Sequence, residues 1–422
     1  MVSWEKSITF EGEKEERRKG GKENGMKTAV VGGGAAGFFL AVNLKEMAPQ
    51  MEVTIFERSQ KVLRKVSISG GGRCNCTNTF EDVGDLSAVY PRGHRLMRRL
   101  FGMFGHREAM RWFESHGVSL TVQADHCVFP ASQDAQTIVR CFTSTARRLG
   151  IRVVTGQRIG SLSELSDYDF VAITTGGAPR AEMLEWLTEA GHRVVEPVPS
   201  LFSLTIDDSS LHALTGTVAE QASVLIPGTR LRAAGPLLIT HWGVSGPAIL
   251  RLSSVAARHL FENNYRSPLS INWTGMSAVQ AAERLHELAR QHGSRQPRNA
   301  RLTELPQRLW EHLLAKSIDD KAQLTWRELG SKNLNRLANT LTNYTCEIAG
   351  RAPFKDEYVT CGGIALGDVN PHTMESRVVP RLFFAGEVLD IDGITGGFNF
   401  QAAWTTAYAA ARGIAEYEME RQ

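Results

Sequence analysis

The feature that most constrains the fold is a glycine-rich turn between a predicted strand and a predicted helix. Lys27–Val31 is a β-branched run, the hexapeptide GGGAAG follows at positions 32–37, and Phe38–Met47 has the pattern of a helix. Met51–Phe56 is predicted as the next strand and is followed by Glu57. This order predicts a βαβ unit whose helix N-terminus binds a pyrophosphate and whose Glu57 accepts hydrogen bonds from the adenosine ribose. A glycine-rich turn without a ligand is the alternative.

The glycines of this turn have separate physical roles. Gly32 permits the tight turn, Gly34 lets the backbone approach a pyrophosphate, and Gly37 lets the helix pack closely against the strand. A GxGxxG motif alone is weak evidence, but its position between a strand and a helix makes it specific for dinucleotide binding.

A second glycine-rich segment, SGGGRCNCTN at positions 69–78, provides donors beside flexible backbone. Arg73 could neutralise a phosphate or polarise a carbonyl, and Lys65 could add charge. A surface loop without a ligand is the alternative. Cys74 could be a redox thiol, but a small residue that fills space beside a ligand is the favoured interpretation. Cys76 is interpreted as inert.

A third segment lies near the C-terminus, where an apolar strand at 382–385 is followed by Gly386-Glu387 and then by DIDGITGGFNFQ at 390–401. A helix that starts here could stabilise negative charge on a reduced flavin ring; a capped helix start with turn glycines is the alternative. A dinucleotide that needs both the first βαβ unit and this distant segment is better matched by FAD than by NAD. Because only one GxGxxG follows a strand, we expect NAD(P)H at most as a transient electron donor.

Composition excludes several classes of protein. Lys plus Arg is 48 and Asp plus Glu is 45, which argues against nucleic acid or a membrane surface as the main partner.

The six cysteines contain no CxxC pair, so we predict no metal site and reduced thiols in a cytoplasmic protein. Residues 1–25 lack the apolar core of a signal peptide and are interpreted as a disordered leader. No apolar run is long enough to span a membrane.

Four strings carry a resemblance to a known family: VVGGGAAG, SGGGRCNCTN, THWGVSGPA and FFAGEVLDIDGITGGFNFQAAW. They resemble the BaiN-like/YhiN-like family of bacterial NAD(P)/FAD-dependent oxidoreductases, also described as aminoacetone-oxidase-family FAD-binding flavoproteins. The resemblance covers residues 27–422. It implies an α/β fold, with a Rossmann-like FAD-binding domain of the glutathione-reductase type, an inserted β-barrel-like domain and a helical segment.

The predicted organisation follows from this resemblance and from a shift in composition after Pro197-Val198-Pro199. It comprises a leader (1–25), the first part of the FAD-binding domain (26–195), an inserted β-rich domain (196–275), a helical part of the insert (276–352) and the second part of the FAD-binding domain (353–422).

The family motifs imply which residues bind the cofactor. The ADP half would be held by the first segment, the pyrophosphate and flavin side by the second, and the ribitol and ring by the third. The predicted cofactor-binding residues are Gly32, Gly34, Ala35, Ala36, Gly37, Glu57, Arg58, Lys65, Gly71, Gly72, Arg73, Cys74, Asn75, Thr175, Gly176, Gly386, Glu387, Asp392, Gly396, Gly397, Phe398, Asn399 and Gln401. One departure from the family is Leu63, which stands where a glycine often precedes the Arg-Lys pair.

Two further features have competing interpretations. His241, in the THWG string of the insert, could be a general acid or base, although a structural histidine is favoured. Six arginines between positions 92 and 111 are interpreted as a solvated helix face or a grip on an acidic domain, rather than as an RNA-binding surface.

The sequence therefore predicts an FAD-dependent oxidoreductase that transfers a hydride through flavin N5 to or from a small carbonyl, amine or enone-type substrate. An FAD-containing tRNA- or RNA-modifying protein and a non-catalytic flavin sensor are the alternatives.

Overall fold

The structure is a computed structural model that describes residues 25–302, 304–318, 321, 323–352 and 359–420. Apart from Gly25, the predicted disordered leader lies outside the described residues.

The strands of the described residues are β1 (Lys27–Val31), β2 (Glu52–Glu57), β3 (Thr77–Asn78), β4 (Leu120–Val122), β5 (Cys127–Pro130), β6 (Arg152–Thr155), β7 (Phe170–Ile173), β8 (Val194–Ser200), β9 (Leu204–Ile206), β10 (Val218–Leu225), β11 (Arg232–Thr240), β12 (Gly243–Ser245), β13 (Ser267–Asn272), β14 (Tyr344–Arg351), β15 (Val359–Ile364) and β16 (Leu382–Phe384).

The α-helices of the described residues are α1 (Ala35–Met47), α2 (Arg64–Gly72), α3 (His94–Leu100), α4 (His106–Ser115), α5 (Gln136–Arg148), α6 (Glu185–Glu189), α7 (Ser209–His212), α8 (Pro247–Val255), α9 (Ala257–Glu262), α10 (Ala278–Gln291), α11 (Gln307–Ile318), α12 (Gly330–Thr342) and α13 (Phe398–Met419).

A parallel five-stranded sheet with the order β16-β7-β1-β2-β6 forms the centre of the first domain. The apolar strand β1 pairs with β2 on one side and with β7 on the other, and β16 brings the late segment to the edge beside β7. The carboxyl ends of β1, β7 and β16 therefore lie side by side, at the edge of an open parallel sheet where ligands bind.

Helix α13 packs along α1 and covers this sheet. Trp404 of α13 contacts Phe39 of α1 with ring centroids 5.1 Å apart, and both rings are buried in one aromatic cluster with Phe113 and Phe142. The last helix of the chain is therefore part of the first domain's core.

The insert is a closed antiparallel barrel with the strand order β10-β11-β12-β9-β14-β13. Helices α10, α11 and α12 lie in sequence between β13 and β14, and their apolar sides join the barrel in a second hydrophobic core. Strands β8 and β15, which lead into and out of the insert, pair with each other in a two-stranded antiparallel sheet.

The structure differs from the predicted division of the insert. The sequence predicts a helical part through residue 352, but Tyr344–Arg351 is the barrel strand β14, which pairs with β13 and with β9. Helices α8 and α9 also lie within the range predicted to be β-rich. Local periodicity could not show this closure, because it depends on pairs such as Ile348 with Ile206, which are distant in sequence.

No helix of the described residues is long and apolar enough to cross a membrane. Nor does the described part of the chain group three or more His, Cys, Asp or Glu side chains in a way that could hold a metal ion.

Candidate functional site

The glycine turn after β1 has the geometry that its sequence predicts. Gly32 has a φ of +115°, and its N–H donates to the Phe56 carbonyl oxygen at 2.8 Å. A methyl group at Gly37 would lie 2.0 Å from the Gly32 carbonyl oxygen, whereas one at Gly34 would meet nothing within 4 Å. The turn is therefore tightly packed toward the protein and open at the N-terminus of α1, where a phosphate could approach the backbone.

Glu57 at the end of β2 fixes this turn. Its Oε2 accepts from the Gly33 N–H at 2.9 Å, and its Oε1 accepts from Ser59 N–H at 2.8 Å and from the Ser59 hydroxyl at 2.6 Å. Arg58 is exposed beside it. The binding of Glu57 to a ribose stays a prediction.

The second segment, after the helical part of α2, is a run of left-handed backbone. Gly70, Gly71 and Gly72 have φ values of 56°, 67° and 82°. Methyl groups at Gly71 and Gly72 would meet nothing within 4 Å, so these two glycines border open space. Leu63, which the sequence analysis singles out as a departure from the family pattern, also has a left-handed φ of 55°, and its side chain is buried.

Arg73 follows these glycines and lies over the Phe129 ring, with Cζ 4.4 Å from the ring centroid. Its Nε donates to the Gly70 carbonyl oxygen at 3.2 Å and its Nη1 donates to Gln133 Oε1 at 3.3 Å. The guanidinium is therefore held in one orientation beside the glycine run.

Cys74 and Cys76 are both buried, and their sulfur atoms are 4.0 Å apart as free thiols. A hydrogen bond with Cys74, together with burial, raises the pKa of the Cys76 thiol well above its usual value. A protonated thiol is a poor nucleophile, which agrees with the interpretation of Cys76 as inert.

The third segment meets the first at the carboxyl edge of the sheet. A methyl group at Gly386 would lie 2.7 Å from the Ala36 Cβ, so the two backbones are in close contact. Glu387 forms an ion pair with Lys65, with Nζ and Oε2 2.6 Å apart, and its Oε1 accepts from the Thr360 N–H at 2.9 Å.

The start of α13 meets the second segment in the same way. A methyl group at Gly397 would lie 2.4 Å from the Thr77 carbonyl oxygen. The Asn75 side-chain amide is oriented so that both its oxygen and its nitrogen have partners. The oxygen accepts from the Gly397 N–H at 3.2 Å, and the nitrogen donates to the Thr77 carbonyl oxygen at 2.8 Å. The Asn78 side chain donates to Gly396 O at 3.2 Å. All three glycine-bearing segments therefore border one site.

Other predicted residues support the loops of this site. Gln401 Oε1 accepts from the Thr77 hydroxyl at 2.6 Å. Asn399 bonds both the N–H and the carbonyl of Gly393 at 2.8 Å, and the Phe398 carbonyl oxygen accepts from the Tyr90 hydroxyl at 2.8 Å. Two residues that follow β7 lie at the same edge, because the Thr175 Cα approaches Gly32 and Gly176 approaches Glu387.

Asp392 is bound by protein groups at the junction with the insert. Its carboxylate is buried, forms a two-pronged ion pair with Arg92, and accepts from the Ser200 hydroxyl at 3.1 Å. Arg92 also donates to the Ser254 carbonyl oxygen of α8 at 2.9 Å.

Arg92 precedes α3 and is largely buried, so the first alternative, a solvated helix face, is wrong for this residue; the second, a grip on an acidic domain, stays a prediction. No local sequence signal marks the pair, because its members are 300 residues apart.

His241 lies at the exposed turn between β11 and β12 of the barrel, with its ring centroid 4.2 Å from that of Trp242. No hydrogen bond among the described residues joins it to the three glycine-bearing segments. Its catalytic role stays a prediction.

The family model described as HI0933-like protein Rossmann domain matches residues 26–413. The chain belongs to this family. The resemblance to BaiN-like/YhiN-like FAD-dependent oxidoreductases is thereby confirmed, and so is the α/β fold class with a Rossmann-type sheet and a six-stranded barrel.

Relatives in this family have diverged far in sequence. The chain is 25% identical to the 3-dehydro-bile acid delta(4,6)-reductase of Clostridium scindens, covering 92% of this chain and 99% of that one. It is 26% identical to the ribosomal RNA dihydrouridine synthase of Escherichia coli, covering 91% and 97%. A 3-ketosteroid delta1-dehydrogenase structure from Sterolibacterium denitrificans aligns at 11% identity and a TM-score of 0.47, covering 94% of this chain and 100% of that one.

The residues present fit an FAD cofactor. The open space at Gly34, Gly71 and Gly72 would be filled by side chains at any other residue type. Gly34 lies at the N-terminus of α1, which suits a pyrophosphate, and the start of α13, which contacts Thr77, suits a ring that gains negative charge.

Proposed function

We propose that the chain is an FAD-dependent reductase of carbon–carbon double bonds conjugated to a carbonyl group. The observation that supports the proposal is that the late segment contacts both early ones, Gly386 against Ala36 and Gly397 against Thr77, while the backbone at Gly34 and Gly72 is open. When bound there, FAD supplies hydride transfer at N5 of its isoalloxazine ring.

The chain's own residues would bind and orient the cofactor. The N-terminus of α1 would hold the pyrophosphate, with Glu57 near the ribose, and the glycine run before Arg73 would border the flavin side. The ion pair of Lys65 with Glu387 would hold the early and late segments in register.

The substrate class rests on the reaction that two relatives' names share. A delta(4,6)-reductase of a 3-dehydro-bile acid and a dihydrouridine synthase both add hydrogen across a double bond conjugated to a carbonyl. We propose that such a substrate lies at the junction of the insert with the FAD-binding domain, where Arg92 joins Asp392 to the Ser254 carbonyl oxygen of α8. We propose a reduced nicotinamide as the electron donor, bound transiently rather than in a second nucleotide domain.

The test begins with the purified protein, whose visible spectrum is recorded and whose released cofactor is weighed by mass spectrometry. Anaerobic NADH or NADPH should bleach the flavin, and 2-cyclohexen-1-one should restore its colour faster than cyclohexanone does. A colourless protein that ignores added FAD contradicts the proposal. So does a bleached flavin whose reoxidation the enone does not accelerate, which instead supports an inactive flavin sensor.

A second candidate, ribosomal RNA as the substrate, is favoured by one surface of the insert. A groove beside α11 and α12 is lined only by basic and neutral polar side chains: Lys316, Ser317, Lys332, Asn335, Arg336, Asn339 and Thr340. Residues 276–343 contain eleven Lys and Arg against seven Asp and Glu, an excess of four, although the whole chain has an excess of three. Such a surface suits a phosphate backbone.

This candidate is tested with deproteinised ribosomal RNA and NAD(P)H. A gain of 2 Da on a uridine, measured by mass spectrometry, is the expected product. The double variant Lys332→Gln/Arg336→Gln should weaken RNA binding and reduce its salt dependence, whereas Arg412→Gln, an exposed change on α13, should not. RNA binding that is equal in both variants excludes the groove as its site.

A further inference from the structure

Helix α8 of the insert docks directly on the cofactor-binding domain. The Ser254 carbonyl oxygen near its C-terminal end accepts from Arg92, the partner of buried Asp392. Arg251 lies three residues earlier, so it occupies the same side of the helix as Ser254. Arg251 therefore lies within one turn of the residue whose backbone contacts the cofactor-binding domain.

This side of α8 carries polar groups that the described protein does not satisfy. Arg251 Nη1 donates to the Ala234 carbonyl oxygen at 3.1 Å, but its buried Nε has no acceptor among the described residues. The hydroxyl of Ser254, which is fully buried, likewise has no partner there. No carboxylate of the described residues forms an ion pair with Arg251. A half-buried guanidinium without a counter-ion favours a negatively charged or strongly polar ligand.

Strand β5 links Arg251 to the second glycine-bearing segment. Cys127 and Phe129 are two residues apart on this strand, so their side chains share a face. Arg73 covers the Phe129 ring. Burial raises the pKa of the Cys127 thiol to about 11; Asp125 also acts to raise it, while an Asn75 hydrogen bond and the positive charge of Arg251 act to lower it. The Phe129 ring under Arg73 and the Cys127 thiol therefore share one face of β5.

We infer that Arg251, supported by Arg73, binds the carbonyl oxygen of the substrate at the junction of the insert and the cofactor-binding domain. The inference rests on the proposed function and names the substrate class more closely: an enone or a pyrimidine-2,4-dione with an exposed carbonyl oxygen. Neither the family motifs nor the sequence patterns single out Arg251.

The chemistry explains why a cation is needed there. When a hydride from the reduced cofactor adds to the β-carbon, the double-bond electrons form a new bond between the α-carbon and the carbonyl carbon. The carbonyl π electrons move to the oxygen, which becomes the negatively charged oxygen of an enolate. A proton from water at the α-carbon then gives the saturated ketone. The guanidinium binds the oxygen more strongly as negative charge grows on that oxygen. The guanidinium therefore lowers the barrier to hydride transfer rather than only tightening substrate binding.

The test uses the FAD-loaded protein and 4-chlorophenol, whose phenolate resembles an enolate and gives a long-wavelength charge-transfer band over an oxidised flavin. The variants are Arg251→Gln and Arg251→Lys. The matched control is Arg290→Gln, which removes one exposed charge from α10 of the same insert. The flavin spectrum and the urea midpoint establish that each variant is folded and loaded.

We expect Arg251→Gln to weaken phenolate binding at least about tenfold and to lower kcat for enone reduction more than it raises KM. Arg251→Lys should recover part of both losses, and Arg290→Gln should match the wild type. Equal phenolate affinity in wild type and Arg251→Gln overturns the inference, as does a wild type without the band. If the wild type binds phenolate through Arg251 but reduces no enone, the proposed function fails while the oxygen subsite stands.

Discussion

Thr77 and Gln401 are 324 residues apart in the chain, yet the Thr77 hydroxyl donates to Gln401 Oε1 at 2.6 Å in the buried wall of the site. The Gln401 amide then donates to the Thr405 hydroxyl at 3.0 Å, and Thr405 donates to the Phe104 carbonyl oxygen at 2.9 Å. This buried relay connects the second glycine-bearing segment to the last helix. Each member of this relay needs its hydrogen-bond partner, because a buried polar group without one lowers the free energy of unfolding.

Replacing Thr77 by valine should expose that cost. Thr77→Val keeps the shape of the side chain but leaves Gln401 Oε1 buried without a donor, so the free energy of unfolding should fall by about 1 to 3 kcal/mol. Urea denaturation measures this change. The control is Thr143→Val on α5, where the hydroxyl bonds only its own helix, and a change within about 0.5 kcal/mol is expected. Equal losses in both variants would show that the relay has no special role.

The buried ion pair of Arg92 with Asp392 should matter far more than an exposed pair of similar geometry. Arg92→Gln leaves the Asp392 charge buried without its partner, and we expect a loss of about 3 to 5 kcal/mol in the free energy of unfolding. The control is Arg98→Gln, which breaks the exposed 2.6 Å pair with Asp85; because solvent screens this pair, its loss should change the free energy of unfolding far less.

A double-mutant cycle with Asp392→Asn separates the pair from its surroundings. If the two partners act together, the double variant should be more stable than the sum of the single losses implies. Strictly additive losses would contradict a direct coupling.

The sequence predicted the parts of this protein that depend on local spacing. The turn at Gly32 and the helix that begins after Gly397 could be read from neighbouring residues, because tight turns and helix starts have local chemical requirements. The strand β14 could not, since its neighbours β9 and β13 are fixed by barrel closure.

The polar pairs of the site could not be predicted from the sequence either. Arg92 is one of six arginines in a short stretch, and only the fold distinguishes the one that meets Asp392. Arg251 lies three residues after a string that carries the family resemblance, and its place near the domain junction results from the docking of α8.

Because of Asp208, we expect the free energy of unfolding of the insert to fall at acidic pH. It caps α7 by accepting from the N–H groups of Ser210 at 2.9 Å and Leu211 at 3.2 Å, and it also accepts from the Tyr344 hydroxyl at 3.1 Å. Burial acts to raise the pKa of this carboxyl. The Ser210 hydroxyl, which also donates to it at 2.5 Å, the Leu211 N–H, the charge of Lys316 and the Tyr344 hydroxyl outweigh burial and hold the pKa well below its usual value.

A pKa that is lower in the folded state means that the carboxylate stabilises the fold above the unfolded value of about 4, and that this contribution is lost as pH falls through the folded value. Asp208→Ala should therefore lower the free energy of unfolding by about 1 to 2 kcal/mol at pH 7, with a difference from wild type that narrows below pH ~4. Asp207→Ala, at the exposed neighbouring residue, should show neither effect. A difference that stays constant from pH 7 to pH 3 would contradict the assignment.

Alanine substitutions at the two glycines Gly34 and Gly37, at the start of α1, should affect cofactor binding and folding differently. Gly34 has a negative φ of −92° and open space where a side chain would project, so Gly34→Ala should cost less than about 1 kcal/mol in flavin-free protein. The same methyl group would occupy the approach to the pyrophosphate, so FAD should be retained at least about tenfold more weakly. At Gly37 the methyl group would collide with the Gly32 carbonyl oxygen, so Gly37→Ala should destabilise the flavin-free fold by about 3 kcal/mol. Urea unfolding and titration with FAD measure the two quantities independently, and a Gly34→Ala protein that purifies with a full complement of FAD would place the pyrophosphate elsewhere.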